Sequence, residues 1–178
     1  MRNTKYEYTG NVKVVYGVKL KQIRAKKDFG RTTKGDIGGW IQSIKNLSVS
    51  GDAWVSGDAL VSGDARVSGS ARIYGDAWVS GNAWVSGSAW VSGDARVSGS
   101  AGVSGKFNKS PLQIQGSRHF VTHSNKGEIT IGCYSYSISK WKKEYGEIGK
   151  REGYAEAEIK EYGMYINLIA RIDKLLDQ

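Results

Sequence analysis

From Val49 the chain repeats every six residues: VSGDAW, VSGDAL, VSGDAR, VSGSAR, IYGDAW, VSGNAW, VSGSAW, VSGDAR, VSGSAG, VSGKFN. Ten consecutive hexads of one spacing leave few folds open, because a short fixed period means one structural unit stacked on copies of itself. Along an extended chain alternate residues share a face, so Ala and the Val two residues later point the same way. The Trp, Leu or Arg between them, and the Ser after Val, point the other way. Gly beside Asp, Asn or Ser supplies the corner, since these residues tolerate tight-turn dihedrals. Each hexad therefore reads as a short strand plus a bend. Three bends close a triangular coil of about 18 residues, stacked on the next at about 4.8 Å around a thin Val/Ala interior.

The aliphatic residues at Val49, Val55, Val61, Val67, Ile73, Val79, Val85, Val91, Val97 and Val103, with the small residues Ala53 to Ala101 four positions later, resemble the hexapeptide-repeat family. The resemblance implies a mainly β fold, a short left-handed parallel β-helix, and commonly a homotrimer of prisms packed side by side. A degraded lead-in passes through Ile41 and Leu47, which fall on the Ala column. The layout around the repeat, with GDIGGW before it and TIGCYSYSISKW after it, is also similar to hexapeptide-repeat proteins of phages and prophages.

Outward residues 18 apart stack into columns. The first carries Trp54, Arg72 and Trp90, the second Leu60, Trp78 and Arg96, and the third Ser48, Arg66, Trp84 and Gly102. Arg72 lies one rung from two Trp rings, a spacing suited to cation–π stacking. On a lone prism these side chains face water. Exposed apolar patches mark interfaces, and Trp and Arg are favoured there, so the first expectation is self-association. The second is a ligand site, where Trp54, Trp78, Trp84 or Trp90 stacks on a base while Arg66, Arg72 or Arg96 meets phosphate. Ladder packing alone is the third. The outward Ser column, broken only by Tyr74, reads as a solvated ladder.

The flanks divide the rest: a basic β cap at 1–40, the β-helix at 41–107, a β-hairpin region at 108–136 and a helical hairpin at 137–178. In the cap, Val18, Leu20 and Ala25 suit a core, and Trp40 reads as a lid over the prism end. Phe107 replaces the column Ala as a plug, and Pro111 stops the repeat. RHFVTH and EITIGCYSYS form the hairpin. Ser139 caps a helix carrying Trp141, Tyr145 and Ile148; a second helix over roughly 154–176 carries Ile159, Tyr162, Ile166, Ile169, Ile172 and Leu176.

The net charge is +9, and residues 1–47, with 11 Lys/Arg against 3 Asp/Glu, account for +8 of it. Lys13, Lys19, Lys21, Arg24, Lys26 and Lys27 form a basic patch that favours an anionic partner, nucleic acid among them. Catalysis as an acyltransferase, common in the resembled family, would need a histidine base near a loop breaking out of the coils. The coils have no such insertion. The two histidines, His119 and His123, lie outside the repeat, on one strand face at roughly 13 Å, too far apart for one metal ion. No phosphate-binding loop, dinucleotide fingerprint or metal cluster is present, so no cofactor or metal is expected. The single Cys133 reads as a small core residue and suits a reducing compartment. With no long apolar run and no signal peptide at the start, a cytoplasmic location is expected. The sequence thus points to a non-catalytic, trimeric binding protein of phage type. A counter-defence role, holding an anionic nucleotide signal or occluding a host immunity protein, is its concrete form.

Overall fold

The computed structural model describes residues 3–107 (for Phe107 the backbone only) and 110–175. The expected Phe107 plug and the last stripe residue, Leu176, lie outside what is described. Contacts divide the chain into two compact units, Met1–Pro111 and Leu112–Gln178. The cap and the repeat share the first unit; the hairpin region and the helices share the second.

The first unit opens with β1 (Tyr6–Val15), β2 (Val18–Ala25) and β3 (Ile37–Ile41). Two-residue strands follow at every repeat: β4 (Trp54–Val55), β5 (Leu60–Val61), β6 (Arg66–Val67), β7 (Arg72–Ile73), β8 (Trp78–Val79), β9 (Trp84–Val85), β10 (Trp90–Val91), β11 (Arg96–Val97), β12 (Gly102–Val103) and β13 (Lys106–Phe107). Each of β4 to β10 pairs in parallel with the strand three ahead, giving three faces: β4-β7-β10-β13, β5-β8-β11 and β6-β9-β12. The repeat is a parallel β-helix, as its period predicts. Every Ala from Ala53 to Ala101 is fully buried, and the Val and Ile facing them are no more than 2% exposed. Corner glycines sit at positive φ, from Gly51 at 69° to Gly99 at 61°. These corners stack so closely that a Cβ on Gly69 would lie 2.9 Å from the Gly87 carbonyl oxygen.

The first coil departs from the expected register. Ile41 pairs with Val61 and Leu47 with Val67, a spacing of 20, whereas Trp54 pairs with Arg72 at 18. The lead-in residues therefore join the Val column, not the Ala column, and two extra residues sit in the corner at 48–52. Val49 is consequently 45% exposed there. Asn46, not Ser48, lies one rung from Arg66, and its buried amide donates to the Gly63 and Ala65 carbonyls. Trp40 is not a lid: it pairs with Leu60 and heads the second outward column.

The cap satisfies the open end of the first coil. A bare coil end would leave unpaired strand groups. Here the Tyr6 hydroxyl donates to the Ile44 and Leu47 carbonyls, and Lys5 Nζ donates to the Ser48 carbonyl while sitting 4.7 Å over the Phe29 ring. Leu20, Ile23 and Ala25 are buried beneath; Val18 is only half-buried. Lys5 is fully buried, and that burial lowers its pKa from 10.5 to about 8. The folded chain then binds fewer protons than the unfolded chain between those values, so stability rises with pH across that window. Burial pushes the Tyr6 phenol up from its ordinary 10.0, so above that value stability falls again. The denaturation midpoint is expected to peak near pH 10, with a rise on the order of 1–3 kcal/mol from pH 8. Lys5→Met should abolish the rise and leave the alkaline fall, as read by urea titrations at each pH.

The second unit is an antiparallel meander, β14 (Gln113–Gln115), β15 (Phe120–Asn125), β16 (Glu128–Ile131) and β17 (Tyr134–Ser137), followed by α1 (Ile138–Arg151) and α2 (Glu156–Leu175). Both helices pack on the sheet, sharing a core of Val121, Ile129, Ile131, Trp141, Ile148, Tyr162, Ile166 and Ile169. The cap of α1 is Ser137, whose hydroxyl accepts from the Lys140 amide, and not Ser139, which lies inside the first turn. Cys133 is exposed in the β16–β17 turn, outside the core, next to Gly132 at a φ of 57°.

Candidate functional site

The three outward columns form as the period predicts, but their surroundings differ. On the first face, Trp54 is 3% exposed. Its cover is the chain's own cap: Phe29 meets the indole edge-on at 5.4 Å, and a Cβ on Gly38 would lie 2.7 Å from the ring. Arg72 donates to the Thr32 hydroxyl of the cap at 3.0 Å. The cations over Trp90 are Arg31, 5.5 Å from the ring centre, and Lys106 at 5.0 Å, with Tyr74 edge-on at 6.3 Å. The expected Arg72 stack is thus replaced by cations from outside that column's predicted trio.

On the second face the β1–β2 turn lies over the coil. Tyr16, at φ 48° beside Gly17, stacks parallel to Trp78 at 5.4 Å, and Lys13 sits 4.3 Å over Trp40. Arg96 lies 5.6 Å from the Trp78 ring and donates to the Asp76 carbonyl. Leu60 is 8% exposed.

Among the described residues the third face has no such cover over its Trp. Trp84 is 60% exposed, the only Trp among the exposed large apolar residues described, and Arg66 beside it is exposed too. The indole N–H of Trp84 donates to Ser68 Oγ at 3.3 Å. Lys45, Ser48, Arg66, Val67, Ser68 and Trp84 line a groove of about 480 Å³ on this face.

The serine ladder is less solvated than expected. Ser62 is 4% and Ser92 8% exposed, and Ser62 Oγ accepts the Trp78 indole N–H at 3.1 Å. The same Ser-to-Trp spacing of 16 recurs at Ser68 and Trp84, a sequence signal that accompanies each ring's outward position.

Much of the expected basic patch is engaged. Lys13 pairs with Asp58 at 3.5 Å, Lys21 lies 4.9 Å over Tyr8, Arg24 binds Glu7 at 2.6 Å and Lys26 donates to the Asn3 carbonyl. The Arg24 guanidinium holds the Glu7 carboxyl below its usual range. Lys19 and Lys27 are exposed.

The histidines do not share a face. His119 is exposed in the bend before β15, while His123 is 2% exposed with Nε2 at 2.7 Å from Asp173 Oδ1. That carboxylate also accepts from the Gly127 amide, so the pair ties the β15–β16 turn to α2. Among the described residues no group of three or more His, Cys, Asp or Glu side chains could hold a metal. No described helix is long and apolar enough to cross a membrane.

Residues missed by sequence reasoning are those of the cover: Tyr16, Phe29, Arg31 and Thr32, with Lys45 in the groove. None of them repeats, so period could not reveal them.

The repeat matches the family described as the YdcK beta solenoid repeat, in overlapping stretches at 53–69, 59–75, 71–87, 77–93 and 89–105. No curated protein matches the chain.

Proposed function

We propose that this chain acts by binding, without catalysis, and that it does so as a homotrimer whose subunits meet through the third solenoid face. The observation that carries this reading is the 60% exposure of Trp84, when Trp54, at the same repeat position, is buried by the chain's own cap. An exposed Trp beside an Arg has the composition of an interface hot spot. The test is sedimentation velocity on the full chain and on Trp84→Ala, with far-UV circular dichroism to confirm the fold. The expected result is a trimer for the former and a monomer of unchanged spectrum for the latter. A variant that stays trimeric, or a parent chain that is monomeric throughout, overturns the reading.

A second reading concerns the same groove. Lys45 and Arg66 beside an open indole plane suit an anionic nucleotide-type ligand, with phosphate on the cations and a base on the ring. A phage counter-defence role is the form this takes if the ligand is a host signal; its support is the likeness in layout and the basic segment 1–47. Native mass spectrometry of protein from cells distinguishes it, by retained ligand mass that leaves on denaturation and is lost in Arg66→Ala.

A further inference from the structure

The second unit holds a cavity that the solenoid reading does not use. It measures about 310 Å³ and lies among the ends of β16 and β17, α1 and α2. Its floor is aliphatic, from Ile131, Ile148, Ile159 and Ile166, and its walls are aromatic, from Trp141 and the tyrosines 134, 145, 154 and 162. Protein interiors close-pack and leave few voids larger than a water, so a void of this size in a small unit is informative. The walls are preformed. A Cβ on Gly163 would lie 2.7 Å from the Tyr145 ring, and one on Gly149 2.7 Å from Ile159, so each glycine lets a wall residue seat directly against helix backbone. The Tyr162 hydroxyl accepts from the Arg118 amide and donates to the His119 carbonyl, locking another wall.

The charges at the mouth select the ligand. Arg118 lies 4.5 Å over the Tyr154 ring and bonds the Gly153 carbonyl, with Glu158 at 3.6 Å. Arg151 lies 6.0 Å from the Tyr134 ring and donates to Glu152 Oε1, which also accepts from the Tyr134 hydroxyl. The rings at the mouth thus already carry cations, which disfavours a cationic ligand. The Glu152 carboxylate disfavours an anion. Those two bonds, Tyr134 first, hold its pKa below the usual range, so it stays ionised. Glu152 lines the cavity, and both of these bonds use Oε1 and not Oε2.

We infer that this cavity binds a small neutral aromatic molecule carrying an N–H or O–H donor, with the ring among Trp141 and the tyrosines and the donor on Glu152. Pockets of this size, apolar with one or two convergent polar groups, are the usual form of small-molecule sites. The test is saturation-transfer difference NMR on the full chain with indole, 1-methylindole, benzoate and benzyltrimethylammonium as probes. Indole is expected to bind, 1-methylindole about 10-fold more weakly for want of the donor, and the two charged probes more weakly still. Glu152→Gln should weaken indole about 10-fold and narrow the gap to 1-methylindole. Ile159→Trp, which fills the cavity, should abolish binding. No saturation transfer to indole at millimolar concentration, equal binding of indole and 1-methylindole, or tighter binding of a charged probe overturns the inference. The probe comparison on the parent chain decides even if a variant fails to fold.

Discussion

Trp54→Ala is expected to lower the stability of the first unit by roughly 3–5 kcal/mol, the range for truncating a buried Trp. The indole is 3% exposed, pressed by Phe29 and by the bare backbone of Gly38, and nothing nearby can collapse into the space it would leave. Below it lies the β-helix and above it the cap, two surfaces each fixed by their own hydrogen bonds. Trp84→Ala, the same change at the same repeat position, is expected to alter stability by no more than about 0.5 kcal/mol when both chains are diluted to monomers, as for other exposed substitutions. Urea unfolding followed by far-UV circular dichroism measures both. The contrast isolates tertiary context, because the local sequences, GDAW and GNAW, are nearly the same.

Gly69→Ala is the second large effect. The residue sits at a φ of 67°, which costs an L-residue roughly 1–2 kcal/mol. Its Cβ would also meet the Gly87 carbonyl oxygen at 2.9 Å and the Gly87 nitrogen at 3.0 Å, backbone atoms that cannot yield without moving the rung. The combined cost is roughly 3–5 kcal/mol. Gly87→Ala supplies the control. Its φ is 62°, but no described atom lies within 4 Å of the added Cβ, so only the dihedral cost, roughly 1–2 kcal/mol, is expected. Equal losses at the two sites would mean that the corners do not stack as described.

The parts of this fold that repeat were legible in the sequence, because one period specifies the corners, the inner Val/Ala pairs and the outward columns together. The register of the first coil was not. VSGD at 49–52 is indistinguishable from later repeats, yet Val49 is exposed, because hydrogen bonds from Lys5 and Tyr6 to Ser48 and Leu47 set that corner. The cover over the first face was equally hidden. KKDFGRTTK reads as an ordinary basic loop, and only the folded chain brings Phe29, Arg31 and Thr32 onto Trp54, Trp90 and Arg72. The histidine pair misled for a related reason: His119 lies before β15, so alternation along the strand does not apply to it. In the second unit, periodicity located the helices and their apolar stripe, but not the cavity, which arises from residues on five separate segments.

The chain buries Trp54 of the first face under its own cap and leaves Trp84 of the third face open, for assembly in the proposed trimer. Hydroxyl-radical footprinting of the full chain over a dilution series, read residue by residue by mass spectrometry, tests it most directly. Trp54 should stay unreactive at every concentration, while Trp84 should be protected when concentrated and become reactive on dilution. Trp84 oxidised equally at all concentrations, or Trp54 oxidised as readily as Trp84, would contradict it.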